Sequence, residues 1–246
     1  MRIALLSDIH GNREALTACL EHARRAEVTR FVFLGDYVGY GADPGWVIDT
    51  VKAEVERGAV AVLGNHDAAV STDTSGMNDQ AAESIEWTRT QLNAAQRDFL
   101  AGLPLTATEA DRLYVHANAF APGHWDYITD LYSASRSIIA TRAHVTFCGH
   151  IHVPELYHMS MTGKFASFDP VDRVEIPLSS HRRWLAVIGS VGQPRDNNPA
   201  ACYAMLDVER NVLTYIRVPY DVETAAGKIR DAGLPIGLSL RLFEGR

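Results

Sequence analysis

Histidines, aspartates and one asparagine stand directly after short apolar runs at five places in the chain. Ile3-Ala4-Leu5-Leu6-Ser7 leads to Asp8 and His10, and Phe31-Val32-Phe33-Leu34-Gly35 leads to Asp36. Val60-Ala61-Val62-Leu63-Gly64 leads to Asn65, His66 and Asp67, and Leu113-Tyr114-Val115 leads to His116. Val145-Thr146-Phe147-Cys148-Gly149 leads to His150 and His152. Imidazole nitrogens and carboxylate or amide oxygens, with no cysteine sulfur among them, are donors for Mn, Fe, Zn or Ni, and they do not select among these metals.

Taken singly, each residue has an ordinary explanation. Asp8 caps a helix or turns the chain. Asp36 is a turn aspartate, Asn65 a turn residue in the left-handed region, and His116 a half-buried histidine. His150-x-His152 says more, because alternate strand residues share a face and can reach one metal ion. Together, the ordinary explanations require five unrelated coincidences at strand ends, so metal binding is the reading the set supports. The glycines before Asp36, Asn65 and His150 let the backbone leave its strand sharply and come close to a ligand. His22, His144, His158 and His181 fit none of these blocks and read as structural or surface residues.

The elements that must position these groups follow from periodicity. The five runs read as strands, and open α/β sheets place their ligands at strand carboxyl ends. If the five share a sheet, their ends converge on one crevice. Asn12–Glu27 has helical spacing, with Leu16, Cys19, Leu20 and Ala23 on one face. Further helices are expected over Trp46–Arg57, Asp79–Leu92, Ala94–Leu100 and Leu131–Thr141, with strands over Arg30–Leu34, Ala59–Leu63, Arg112–Val115 and His144–Cys148. The last third turns to short strands: Leu156–Met161, Lys164–Phe168, Arg173–Ile176 and Trp184–Ile188. A hairpin of Cys202–Val208 and Val212–Val218 follows around Glu209-Arg210-Asn211, and a closing helix spans Val222–Ala232. Such an order suggests a layered α/β protein with a sheet extended by antiparallel strands.

Composition narrows the class. At 246 residues and 47% hydrophobic, the chain can bury one sizeable core. A net charge of −7 argues against a general nucleic-acid-binding surface. It leaves phosphate substrates open, because bound metals reverse the local sign. No apolar run approaches the ~20 residues of a membrane helix, and the N-terminal run, interrupted by Asp8, is too short for a signal peptide. Cys19, Cys148 and Cys202 lie far apart with no CxxC spacing, which points away from a disulfide framework and toward a reducing, cytoplasmic location. Oligomeric state is not legible.

In order along the chain, Asp8-x-His10, Gly35-Asp36, Gly64-Asn65-His66-Asp67, the strand-terminal His116 and Gly149-His150-x-His152 resemble the signature of the calcineurin-like metallophosphoesterases. Three longer stretches resemble their small bacterial phosphodiesterase branch: Asp8–Asn12, Gly35–Gly41 and Gly189–Asp196. The resemblance implies one domain over residues 1–246, a four-layer α/β/β/α sandwich of two mixed sheets flanked by helices. It implies two divalent metal ions, one on Asp8, His10, Asp36 and His152, the other on Asp36, Asn65, His116 and His150. Asp36 would bridge them, and a hydroxide shared by the ions would attack phosphorus in line. By the same resemblance His66 ligates no metal but contacts the phosphate and protonates the leaving oxygen, while Asp67 either orients His66 or caps the next segment.

The departures matter. Gly39-Tyr40 stands where protein Ser/Thr phosphatases carry Asp-Arg, which counts against a phosphoprotein substrate and leaves open what orients His66. Arg195 supplies a phosphate contact, or else packs or forms a surface ion pair. The loop from Ala117 to Tyr127 follows a ligand directly and is expected to overhang the site; Asn118, His124 and Trp125 then meet the organic part of the substrate, unless Trp125 packs into the core. Asn12 and Asn65 join Asn118, His124 and Arg195 as candidate substrate contacts. The expected activity is hydrolysis of a small phosphodiester or nucleotide-type phosphate ester. A phosphomonoesterase would share the site. A non-catalytic interaction scaffold would show eroded ligands or a lost histidine after Asn65, and neither loss is present.

Overall fold

The computed structural model describes every residue from Met1 to Arg246. Its first half runs β1 (Arg2–Leu6), α1 (Arg13–Arg25), β2 (Arg30–Phe33), α2 (Pro44–Glu56), β3 (Val60–Ala61), α3 (Asn65–Ala69), α4 (Asp79–Gln91) and α5 (Ala94–Ala101). Next come β4 (Thr106–Glu109), β5 (Arg112–Val115), α6 (Leu131–Ile139), β6 (Val145–Cys148), β7 (Glu155–Ser160), β8 (Phe165–Phe168) and β9 (Glu175–Pro177). The chain closes with β10 (Arg182–Val187), β11 (Ala201–Asp207), β12 (Val212–Val218), α7 (Val222–Asp231) and α8 (Ile236–Glu244).

These strands form two six-stranded mixed sheets, ordered β3-β2-β1-β11-β12-β9 and β4-β5-β6-β10-β7-β8. Each has a parallel trio: β1, β2 and β3 in the first, β5, β6 and β10 in the second. The five ligand-bearing strands therefore do not share a sheet. Three lie in one and two in the other, and the site forms where the carboxyl ends of both trios meet.

Period-two alternation explains how the sheets stack. Ile3, Leu5, Val32 and Leu34 bury against Val145, Phe147, Trp184 and Ala186, so the inner faces of the two sheets share one apolar layer. The alternate residues Ala4, Leu6, Phe31 and Phe33 pack under Leu16, Cys19 and Leu20 of α1 and Val47, Ile48 and Val51 of α2. On the far side, Leu185 and Val187 pack under Ala134 and Ile138 of α6. The result is the four-layer α/β/β/α sandwich. A one-residue slip in any of these strands would send its apolar set to the wrong layer.

The structure adds elements the periodicity did not suggest. β4 is an edge strand with the polar sequence Thr106-Ala107-Thr108-Glu109, formed by hairpin pairing with β5. α8 follows α7 after a short turn, with Leu238 and Leu242 buried and Ile236, Leu240 and Phe243 exposed. β3 keeps only two residues of the expected Ala59–Leu63, because the backbone turns into α3 at Gly64. All three cysteines are unpaired and buried. No helix is long and apolar enough to cross a membrane.

Candidate metal centre

The loops leaving β1, β2 and β6 are strained in the same way. Asp8, His10, Asp36, His150 and His152 have φ of 54°, 50°, 56°, 71° and 64°. Left-handed backbone at a non-glycine residue costs about 1–3 kcal/mol and persists only where surroundings enforce it. Cross-ties supply that enforcement. The N–H groups of Asp8 and His10 donate to the carbonyls of Gly35 and Asp36 at 3.1 and 2.9 Å. From the other sheet, the His150 N–H donates to the Asp8 carboxylate at 3.0 Å, and the N–H groups of Val191 and Gly192 donate to the carbonyls of Ser7 and Asp8. Gly149 is required by this closeness: a Cβ there would collide with Ser7 Oγ and Asp8 Oδ2.

The seven candidate ligands come together in two facing groups. His10 Nδ1 donates to the Val38 carbonyl at 3.0 Å and His152 Nδ1 to the Gln193 carbonyl at 2.6 Å. A carbonyl only accepts, so each of these ring nitrogens carries the proton, and in the neutral imidazole the opposite nitrogen presents a lone pair. Those opposite nitrogens, His10 Nε2 and His152 Nε2, face each other at 3.1 Å. The second group repeats the device. His116 Nδ1 donates to the Leu34 carbonyl at 2.7 Å and His150 Nε2 to the Trp125 carbonyl at 2.8 Å. Their other nitrogens face each other at 3.1 Å, with Asn65 Oδ1 3.0 Å from His116 Nε2.

Asp36 Oδ2 lies between the groups, 3.7 Å from His10 Nε2 and 3.3 Å from His116 Nε2. Asp8 Oδ1 is 3.4 Å from His152 Nε2. Lone pairs aimed at one another in a buried space repel unless a cation sits among them, so the donor set fits metal ions. The donor atoms of Asp8, His10 and His152 lie within 4.8 Å of one another, as do those of Asp36, His116 and His150.

Without a cation, burial keeps His10 and His152 neutral, as ligands are, whereas Asp8 and His116 are drawn toward protonated forms from which a bound cation would displace the proton. Burial pushes the Asp8 carboxyl up to about 7 and the His10 and His152 imidazoles well below their ordinary value. Burial also opposes charge on His116, but the adjacent Asp36 carboxylate overrides it and raises the ring to about 9. A bound divalent cation favours ionised carboxylates and neutral imidazoles together.

His66 is buried beside this cluster, its ring 4.8 Å from that of His10 and 4.6 Å from that of Tyr40. Its Nδ1 has no hydrogen-bond partner and packs where a Cβ on Gly39 would otherwise stand. Ring packing, not a carboxylate, holds it. Asp67 does not bond to His66, one of its two expected roles, but it does cap the segment that follows β3, the other, accepting from the Gly64 N–H at the start of α3. Its Oδ2 accepts from the N–H groups of Asp36 and Gly64 at 2.7 and 3.0 Å, and its Oδ1 from those of Tyr37 and Val38 at 2.8 and 3.3 Å. It is the anchor of the Asp36 loop.

Two expected substrate contacts are committed elsewhere. Asn12 caps α1 by accepting from the Ala15 N–H and donates to the Gly192 carbonyl. Asn118 accepts from the Ala121 N–H and donates to the Asp126 carbonyl, so it shapes its own loop. His124 and Trp125 line an open cavity of about 670 Å³ with Asn65, His66 and His150 on its floor. Arg195 reaches Gln193 Oε1 at 3.0 Å and Tyr40 Oη at 3.4 Å, and its charge adds to the burial that lowers the affinity of His10, His66 and His152 for a proton. Sequence reasoning missed Tyr127, whose ring stacks on His150 at 4.2 Å and 9°; its aromatic character inside the overhanging loop was the available signal. It also missed the four proton-fixing carbonyls, which no side chain marks.

Comparison with known proteins bears on the fold and the family. The calcineurin-like phosphoesterase superfamily domain matches residues 1–211. An uncharacterized protein of Methanocaldococcus jannaschii is 33% identical over 250 residues, covering 99% of this chain and 98% of its own. The crystal structure of a metallophosphoesterase from Sphaerobacter thermophilus superposes with a TM-score of 0.88 at 34% identity, over 100% of this chain and 99% of that one. A hypothetical protein from Pyrococcus horikoshii shares the fold, with a TM-score of 0.81 at 20% identity over 100% and 98% of the two chains.

Proposed function

The chain belongs to the calcineurin-like phosphoesterase superfamily, and from that premise we propose that it hydrolyses a small phosphodiester or nucleotide-type phosphate ester with two divalent metal ions. The observation that carries this reading is the pair of facing imidazole lone-pair sets, each at 3.1 Å, with Asp36 Oδ2 between them. Asp8, His10 and His152 would hold one ion and Asn65, His116 and His150 the other, with the Asp36 carboxylate within reach of both sets. When bound, such ions polarise phosphoryl oxygens and make water a nucleophile near neutral pH. With nitrogen and oxygen donors only, Mn, Fe, Zn and Ni all suit the site.

The chain's own residues do the rest. The carbonyls of Val38, Gln193, Leu34 and Trp125 keep each ring proton on the far nitrogen and fix ring orientation. His66, with Nδ1 buried against Gly39, has Nε2 left to meet the phosphate; burial lowers its pKa to about 4, so it hands a proton to the leaving oxygen only once the anionic phosphate beside it has raised its proton affinity. Arg195 has a hydroxyl and an amide for partners and no carboxylate, so its charge is available to a phosphate.

The test is hydrolysis of bis(4-nitrophenyl) phosphate and 4-nitrophenyl phosphate by the Mn-loaded protein. Cleavage of the diester is expected. Activity on the monoester alone would overturn the diester preference, and activity on neither would remove the phosphoesterase reading.

A further inference from the structure

The cavity above Asn65, His66 and His150 has two walls from different parts of the fold. Trp125 and Tyr127 form one, on the loop after β5; Tyr127 is stacked on His150 and 53% exposed. The segment Thr72–Asn78 that joins α3 to α4 forms the other, with Met77 and, from the first turn of α4, Ala81 as its apolar surface. This second wall is tethered by Arg89, which donates to the carbonyls of Ala69, Val70 and Thr72.

The charge of the lining discriminates among substrates. Neither lysine nor arginine lines the cavity, and its one carboxylate is Asp73. The N-terminus of α4 at the cavity is already spoken for: Asn78 caps it and Asp79 stands in its first turn. A second or third phosphate entering here would meet one anion and no lysine or arginine on the lining itself; of that lining Arg195 reaches only Tyr40 Oη, beside His66 at the phosphoryl end. A flat neutral ring would meet Trp125, Tyr127 and Met77, and its polar edges would meet Thr72, Ser75 and Asn78. The volume of about 670 Å³ falls within the range of ~300–1,000 Å³ usual for small-molecule sites.

We propose that this cavity recognises an uncharged, ring-bearing organic group of the nucleoside class carried on a single phosphoryl group, and that it selects against substrates bearing further phosphates. The inference rests on the phosphoesterase reading for the phosphoryl end of the substrate only. Trp125, Tyr127 and Met77 determine specificity for the organic end. The loop from Ala117 to Tyr127 thus has a partner wall in Thr72–Asn78, and the two together set substrate class.

The experiment uses three esters that share the 4-nitrophenolate leaving group: methyl 4-nitrophenyl phosphate, thymidine 5′-(4-nitrophenyl phosphate), and the γ-(4-nitrophenyl) ester of thymidine triphosphate. With the Mn-loaded protein, kcat/KM for the thymidine ester is expected to exceed that for the methyl ester by about tenfold or more, the order that stacking one base on an aromatic side chain is worth. The triphosphate ester is expected to fall below the thymidine ester. In Trp125→Ala and, separately, Met77→Ala the thymidine-to-methyl ratio drops toward one, and in Ser75→Lys the triphosphate ester gains on the thymidine ester. Equal kcat/KM for the thymidine and methyl esters, a preference for the triphosphate ester, or an unchanged ratio in both alanine variants would overturn the proposal.

Calorimetric titration with thymidine 5′-monophosphate reads the cavity without turnover. Binding that Trp125→Ala and Met77→Ala both weaken, with no ester hydrolysed, removes the phosphoesterase reading and keeps the cavity assignment. Hydrolysis of the methyl ester without a thymidine advantage does the reverse, and absence of both hydrolysis and binding overturns both.

Discussion

Replacing Gly149 with alanine tests how tightly the two sheets are locked together at the site. An added Cβ would lie 2.6 Å from Ser7 Cβ, where ordinary carbon contacts begin near 3.5 Å. Ser7 Oγ, which also collides, has no hydrogen-bond partner and can rotate away. Asp8 Oδ2 cannot, because it accepts from the His150 N–H at 3.0 Å. The backbone of the Gly149–His152 turn must therefore move by about 1 Å, since contact distance exceeds the available gap by that much. Overpacking of this kind costs about 1–3 kcal/mol, and loss of a hydrogen bond to a charged acceptor adds about 1.5–3 kcal/mol. A destabilisation of about 2.5–6 kcal/mol follows, a large share of the ~5–15 kcal/mol typical of a folded domain. His150 and His152 travel with the turn, and a site held to about 0.5 Å does not tolerate that displacement. Urea unfolding of the metal-free protein and Mn titration of both proteins check the two consequences. A Gly149→Ala variant within 1 kcal/mol of the wild type that binds Mn with unchanged affinity would refute the reasoning.

His66→Ala should leave metal content near that of the wild type while slowing turnover by about 10²–10⁴-fold, the usual span for a general acid; full activity in that variant would remove the catalytic role. Asp67→Ala strips the acceptor from four backbone N–H groups, so unfolding should cost about 3 kcal/mol less or worse, with metal content falling as the Asp36 loop loosens. Unchanged stability with full metal content would contradict the anchoring role.

The chemistry was legible in the sequence because ligands after parallel strands come with a local mark, an apolar run and often a glycine. Asp8, Asp36, Asn65, His116 and His150 each carry one. The capping halves of the Asp67 and Asn12 roles are local, through Gly64 and Ala15, but the distant halves were not legible, since those partners lie on backbone about 30 and 180 residues away and any side chain can stand over an N–H or a carbonyl. The division of the ligand strands between two sheets was equally hidden to periodicity: parallel pairing is set by which apolar faces bury together, and Ile3 and Phe147 meet only in the folded core. The resemblance, not the alternation, implied the second sheet. β4 escaped because an edge strand needs no apolar face, only a partner. His66 seemed to need a carboxylate to orient it, and the structure answers with Tyr40, whose ring packs on both His66 and His10.

The central claim is that two metal ions share Asp36, one on each facing pair of histidines. Mn stoichiometry measured by elemental analysis after equilibration and gel filtration tests it most directly. The account expects two equivalents in the wild type, one each in His152→Ala and His116→Ala, and fewer than one in Asp36→Asn. A single equivalent in the wild type, or two retained in Asp36→Asn, would contradict it.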